Sequence, residues 1–325
     1  MRGLNQSGFC SYDPGFANTA GCQSAISWID TENSVLLHRG YPVDQLARQC
    51  DFLEVAYIML NGDAPDEASY QTFRETITRH TLVHEQIARM CSGFRRDSHP
   101  MALMCALVGA LAAFYHDVLD VENPQHRALA ATRLLSKMPT IAAMSYKYTI
   151  EQPAAYPRND LSYAGNFLQM LFAIPAEKYV LNPVIEQAMN QILVLHADHG
   201  QCASTTTVRA AGSSGANLFA CVAAGLASLW GPMHGGANES SMRMLEEIES
   251  VDQVPAFLRQ AKRDPQAFRR LGFGNSRYRH RDPRADILRE TSHRVLAEVG
   301  MSDRLLQVAM ALEDVALTDP YFVDN

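Results

Sequence analysis

The chain has 325 residues, 47% apolar and 19% charged, with a formal net charge of −7 and a pI near 5.9. That is enough apolar chain for a large core and one or two domains, and the acidic balance excludes any general attraction to nucleic acid or an anionic membrane surface. The longest apolar runs, Met101–Tyr115 and Leu218–Trp230, fall short of the ~20 residues that span a bilayer, so both read as buried helices.

The cysteines at 10, 22, 50, 91, 105, 202 and 221 form no CxxC pair and no metal-like cluster. Their odd number and scatter predict reduced thiols in a cytoplasmic protein with no metal, and the N-terminal residues carry no hydrophobic signal region.

Residues 8–40 are dotted with Gly and Ser, and Ala25–Ile29 and Ser34–His38 read as short strands of a small hairpin region. From Val43 onward the pattern is helical. Asp51–Leu60 stops at Asn61-Gly62, and Asp66–His80 is amphipathic. Pro100–His116 is nearly all apolar. Pro124–Lys137 and Pro139–Glu151 read as separate helices, each with proline in its first turn. Leu161–Phe172 is another helix. Asn182-Pro183 opens a strong one, with apolar residues at Ile185, Ala188, Met189, Ile192 and Leu195, ending at His196-Ala-Asp-His199-Gly200. Thr205–Ala211 and Ala216–Leu229 are rich in small residues, which suits a close helix–helix interface within a subunit or between two. Gly231-Pro232 stops the second of these, and a new helix runs from about Asn238 to Ile248.

After Glu249 the composition becomes more charged, which divides the chain into residues 1–245 and 246–325. Arg269 to Arg289 is basic, with a turn at Gly272-Phe-Gly274. Asp282-Pro283 caps a helix to Val299, Ser302 caps a last helix to about Leu317, and the tail from Asp319 is extended. The class is mainly α.

The chemistry concentrates in Trp230-Gly-Pro-Met-His234-Gly-Gly-Ala-Asn-Glu239. A histidine at a helix N-terminus faces unpaired N–H groups and the positive end of the helix dipole, which disfavour the imidazolium. A neutral imidazole there can donate to a carbonyl oxygen that is becoming an enolate. The competing reading is a histidine capping a tight turn. His199 sits near a helix C-terminus, where the dipole favours a cation that would attract a dicarboxylate; a metal shared with His196 and a purely local role are the alternatives. Arg284 opposes the dipole in a first helical turn, as a bidentate carboxylate clamp would, whereas the basic segment around it also fits a solvated face or a phosphate contact. His80 and His84 are four residues apart but lack the metalloprotease order, and no phosphate-binding loop, dinucleotide fingerprint or Gly-x-Ser-x-Gly elbow occurs.

Taken together, His196-Ala-Asp-His199, Ser213-Ser-Gly-Ala-Asn217, Trp230–Glu239, Gly272-Phe-Gly274 and Asp282-Pro-Arg-Ala285 resemble the citrate synthase family. Arg95-Arg-Asp-Ser-His-Pro100, Leu135-Ser-Lys-Met-Pro139 and Tyr156–Asn166 resemble its bacterial, hexamer-forming (type II) members. The resemblance implies a large helical domain over 1–245, the start of a smaller helical CoA-binding domain over 246–325, and a homodimer or a hexamer built as a trimer of dimers. It implies condensation of acetyl-CoA with oxaloacetate to citrate and CoA, with no bound cofactor. Propionyl-CoA, as in 2-methylcitrate synthase, is the alternative substrate. His234 matches the enol-stabilising histidine, His199 and Arg284 match oxaloacetate ligands, and Gly272, Phe273 and Gly274 match part of the CoA site. Residues resembling an allosteric site for the inhibitor NADH are Arg79, His80, Thr81, Tyr115, Arg133 and Lys137.

Two departures qualify these expectations. Asn275 stands where the family has a second catalytic histidine, and asparagine can donate a hydrogen bond but cannot carry charge or shuttle a proton near neutral pH. The chain is also expected to be short at both ends, ending before the family's proton-abstracting aspartate and further carboxylate-binding arginines. The alternative to an active enzyme is therefore a non-catalytic homologue that binds substrate or pairs with a full-length subunit.

Overall fold

The computed structural model describes residues 21–263, 278–300 and 303–324. It is mainly α-helical, with one small antiparallel sheet of order β1-β2-β3: Ser27–Asp30, Val35–His38 and Tyr41–Pro42. Asp30 Oδ1 accepts the N–H groups of Glu32 and Asn33, both at 3.0 Å, which closes the first hairpin. The register sets Ser27 opposite His38.

The helices of the described residues are α1 (Val43–Gln49), α2 (Phe52–Asn61), α3 (Glu67–Arg79), α4 (Glu85–Met90), α5 (Pro100–Phe114), α6 (Pro124–Thr149), α7 (Tyr163–Phe172) and α8 (Pro183–Leu195). Then follow α9 (Ala203–Gly212), α10 (Leu218–Leu229), α11 (Gly236–Glu247), α12 (Val254–Ala261), α13 (Pro283–Val299), α14 (Arg304–Thr318) and α15 (Pro320–Asp324). Side-chain caps set many starts: Asp51, Asp66, Ser162, Asn182, Asn217 and Asp282 each accept a first-turn N–H.

Four elements differ from the expected ones. The two helices expected to meet near Pro139 are one helix of 26 residues with that proline inside it. Proline has no N–H to offer the carbonyl four residues back. Here Tyr163 Oη donates to that carbonyl, of Leu135, at 2.8 Å, so the interruption is mended from α7. The last long helix is capped by Asp303, and the tail expected to be extended forms α15. α11 begins at Gly236, two residues earlier than expected.

The described residues bury three apolar cores. The first joins α5, α6 and α10 through Leu103, Leu107, Leu111, Ile141 and Phe219. The second joins β2, α1, α2, α8 and α13 through Leu36, Leu46, Val55, Leu195 and Ile287. The third joins α11, α12 and α14 through Met244, Leu258, Val308 and Leu312. α13 thus packs on the second core although it lies beyond residue 245. The small-residue helices α9 and α10 pack on each other within the chain: a Cβ on Gly225 would lie 2.5 Å from Val208 Cγ2 and 3.4 Å from the Ser204 carbonyl.

The Tyr163 bond yields a stability test. Tyr163→Phe should lower unfolding free energy by about 1–3 kcal/mol, the usual effect of leaving a buried acceptor unpaired. Adding Pro139→Ala should recover part of the loss, because an alanine at that position brings its own N–H. Urea denaturation of the single and double variants measures both.

Candidate active site

His234 sits in the connection between α10 and α11. The Gly231 carbonyl accepts the N–H of His234 at 3.0 Å and that of Gly236 at 3.1 Å, which folds the connection into a tight turn. The two glycines after His234 serve this turn. A Cβ on Gly235 would lie 2.6 Å from the Leu229 carbonyl, and one on Gly236 2.8 Å from the Trp230 carbonyl. Their close approach is to the end of α10 itself.

The imidazole is held from one side. Its Nε2 is 2.9 Å from Ser204 Oγ, in the first turn of α9. Ser204 Oγ is in turn 3.2 Å from the sulfur of Cys202, the residue before that helix, and the same sulfur is 3.2 Å from Thr205 Oγ1. Burial pushes the Cys202 thiol up, but hydrogen bonds from Ser204 and Thr205 outweigh it and hold the thiol below its usual value.

Cys202 belongs to the loop that carries His199. His196 ends α8 with its Nδ1 2.7 Å from the Ile192 carbonyl, which is the local role weighed above. The chain then reverses at Gly200, whose φ of +73° lies in the left-handed region. His199 Nε2 is 2.9 Å from the hydroxyl of buried Tyr278, with ring centroids 5.5 Å apart.

Arg284 opens α13 and is paired with the cap of its own helix. Its Nε and one terminal nitrogen donate to the two carboxylate oxygens of Asp282 at 2.9 and 2.6 Å. Asp282 also accepts the Arg284 N–H at 3.0 Å. A carboxylate at the helix N-terminus offsets the unfavourable position of the cation. Burial raises the Asp282 pKa, but hydrogen bonds and charge from Arg284, with the charge of His199, hold it below the ordinary carboxylate range. His199 and Arg284 therefore act on one carboxylate.

A further group lies behind them. Ser27 Oγ donates to Asp198 Oδ2 at 2.5 Å and is 2.9 Å from His38 Nδ1. His38 is fully buried; burial lowers its pKa, Asp198 opposes the shift and Arg284 reinforces it. Gly200 N–H also donates to Asp198, at 2.7 Å, so this network braces the His199 loop against the hairpin.

Sequence reasoning missed Ser204, Tyr278, Asp282 as the Arg284 partner, and His38. Only Asp282 carried a local signal, being two residues from Arg284 at a helix cap. Gly272, Phe273, Gly274 and Asn275 lie outside the described residues.

Of the residues compared above to a dinucleotide site, five gather and one does not. The Arg133 guanidinium lies 4.4 Å from the Tyr115 ring centroid and is bidentate to Asp117 at 3.0 and 3.1 Å. Lys137 Nζ is 5.3 Å from the same ring and donates to the carbonyls of His80 and Leu82. The Thr81 carbonyl accepts from Thr140 Oγ1 at 2.8 Å. Arg79 instead faces solvent, paired with Glu75 at 3.1 Å. His80 and His84 are not on one helix: His80 ends α3 and His84 caps α4.

The mainly helical architecture is that of a known class of proteins. The family profile described as "Citrate synthase, C-terminal domain" matches residues 15–325. The chain is 31% identical to the citrate synthase of Pyrobaculum aerophilum, with a TM-score of 0.86 over 96% of this chain and 77% of that one. It is 28% identical to the citrate synthase of Thermotoga maritima, at a TM-score of 0.77, covering 94% of this chain and 78% of that one. For the Thermoplasma acidophilum citrate synthase, solved as a ternary complex with carboxymethyl coenzyme A and oxaloacetate, the identity is 25% and the TM-score 0.84, over 94% and 79%. The chain belongs to the citrate synthase family.

Two outcomes follow from the site. Gly236→Ala should destabilise by about 1–3 kcal/mol, as overpacking does. Gly93→Ala, where a Cβ meets nothing within 4 Å, should stay within about 0.5 kcal/mol. Calorimetric melts of both compare them directly.

Lys137 gives a pH test. Burial, then the Arg133 charge, brings its pKa down to about 8, against about 10.4 for an unfolded lysine. Between these values the unfolded chain binds the proton more than the folded one, so this group makes stability rise with pH from about 8 to about 10. The rise should be about 3 kcal/mol larger in wild type than in Lys137→Met, measured by denaturant melts across that range.

Proposed function

We propose that this chain is built for the citrate-synthase-type condensation, in which acetyl-CoA and oxaloacetate give citrate and CoA. The observation that carries the reading is the setting of His234. Its Nε2 is engaged by Ser204, and Nδ1 makes no hydrogen bond among the described residues. A neutral imidazole with its proton on Nδ1 can donate to the thioester oxygen as the enolate forms. Its orientation is fixed beforehand by Ser204 and the glycine turn.

His199 and Arg284 hold oxaloacetate in this reading. Both are already paired, to Tyr278 and Asp282. Guanidinium has five N–H donors, and Asp282 takes only two from the Arg284 side chain. A substrate carboxylate can use the remaining edge or displace Asp282. By their match to the family motif we assign Gly272, Phe273 and Gly274 to the CoA site, and Asn275 to the motif position that holds a histidine in the family. We read 1–245 as the large domain and 246–325 as the start of the smaller one. We read the assembly as a homodimer or a trimer of dimers of the type II kind, in the cytoplasm. Exposed Met233 and Met242, at 80% and 48%, give the neighbourhood of His234 an apolar face that suits a partner subunit. For NADH, the cluster around Tyr115 offers stacked cations but few free donors, so a dinucleotide there would have to compete with Asp117 for Arg133.

A second reading is favoured by Asn275 alone: a family member that binds substrate but turns over slowly. Loss of a general acid typically lowers rate by about 10²–10⁴-fold. CoA-thiol release separates the two. Asn275→His should raise turnover by about that factor, and His234→Ala should lower whatever turnover exists by about 10²–10³-fold. Calorimetry with oxaloacetate should show binding that His199→Ala weakens. No binding in either protein would sink both readings.

A further inference from the structure

Three side chains from two elements form a row that ends on His234. Cys202 Sγ is 3.2 Å from Ser204 Oγ, and Ser204 Oγ is 2.9 Å from His234 Nε2. Ser204 has one proton and two neighbours that can accept it. A thiol sulfur is a weak acceptor, so the imidazole nitrogen wins against it. A thiolate is charged, and charge-assisted hydrogen bonds are roughly twice as strong, so it wins against the imidazole.

The outcome fixes where His234 keeps its own proton. If Ser204 donates to Nε2, that nitrogen is bare and the proton is on Nδ1. If Ser204 donates to sulfur, its oxygen is left to accept, and Nε2 must carry the proton. Nδ1 is then bare and cannot donate to a carbonyl. We propose that Cys202 is a positioning residue for His234: as a thiol it keeps the imidazole in the donating Nδ1–H tautomer, and as a thiolate it switches it off. The inference rests on the reading of His234 as the thioester donor. The step balances: the Cys202 proton leaves to solvent, and His234 exchanges one ring proton for another with no change of charge.

The surroundings make this titration distinct. Burial raises the thiols of Cys91, Cys105 and Cys221 and drives Cys50 to about 12, whereas the hydroxyl and amide groups of Ser204 and Thr205 lower Cys202. The titratable groups along its hydrogen bonds and its loop are His234, from the α10–α11 turn, and Asp198 and His199. Ser204 and Thr205 on α9 are uncharged.

The test is ¹⁵N spectroscopy of the full chain labelled in histidine, with His234 assigned from His234→Gln. Ionisation of Cys202 is followed by the rate of iodoacetamide alkylation, read on its own peptide by mass spectrometry. In wild type the Nδ1–H signal of His234 should be lost with the same midpoint as Cys202 ionisation. In Cys202→Ser the loss should disappear and Nδ1–H should persist. In Ser204→Ala the thiol should titrate without moving the tautomer. A His234 tautomer that stays fixed as the wild-type thiol ionises overturns the proposal, as does the same transition in Cys202→Ser. Binding of acetyl-CoA is measured beside it by calorimetry. Absent binding with the coupling intact would refute the functional reading and leave the coupling standing.

Discussion

The close approach of α9 to α10 is the contact on which the site depends. Gly225 has no Cβ, and any Cβ there would meet Val208 and press on the Ser204 carbonyl. The first turn of α9 therefore lies against α10 and reaches the turn that follows it. That approach is what puts Ser204 within 2.9 Å of His234. Interiors are packed as densely as organic crystals, so such a distance cannot drift without moving both helices. A run of small residues, chemically bland by itself, thus determines which nitrogen of a histidine Ser204 engages.

The second constraint is electrostatic. His199, Arg284, Asp282, Asp198 and His38 come from three parts of the chain and share one neighbourhood. Without compensation a half-buried guanidinium at a helix N-terminus is unfavourable. Asp282 supplies the compensation within the same turn, at 2.6 Å. The arrangement resembles a bound carboxylate, since the cap of the helix occupies the geometry a substrate carboxylate would take. A second carboxylate that displaced Asp282 from this fork would bind only by the difference between the two, which would keep its affinity modest and reversible.

Much of this was legible in the sequence because the signals were local. Asn182-Pro183, Asn217 and Asp282-Pro283 mark helix starts by side chains that reach N–H groups two or three residues away. Gly231-Pro232 marks a stop for the same kind of reason. His234, His199 and Arg284 were singled out as candidates through their places at helix ends, together with the motifs around them. What failed was non-local. Pro139 reads as a break until Tyr163, 24 residues on, supplies the missing donor. Ser204 and Tyr278 have no periodicity or motif of their own that points to a histidine. His38 becomes polar machinery only because the hairpin register sets it against Ser27, which in turn meets Asp198.

The same distinction applies to the chemistry. Residue types say which groups can donate, accept or ionise, and the family motifs say which of them are candidates to meet substrate. Neither says where a proton rests. For His234 that is decided by competition at Ser204, and the competitor is a cysteine two residues away whose partners are hydroxyls. A half-buried hydroxyl between two acceptors passes the state of one to the other, because it can give its proton only once. The donor strength of His234 is therefore a property of the helix pair and its leading loop, and cannot be assigned to the histidine alone.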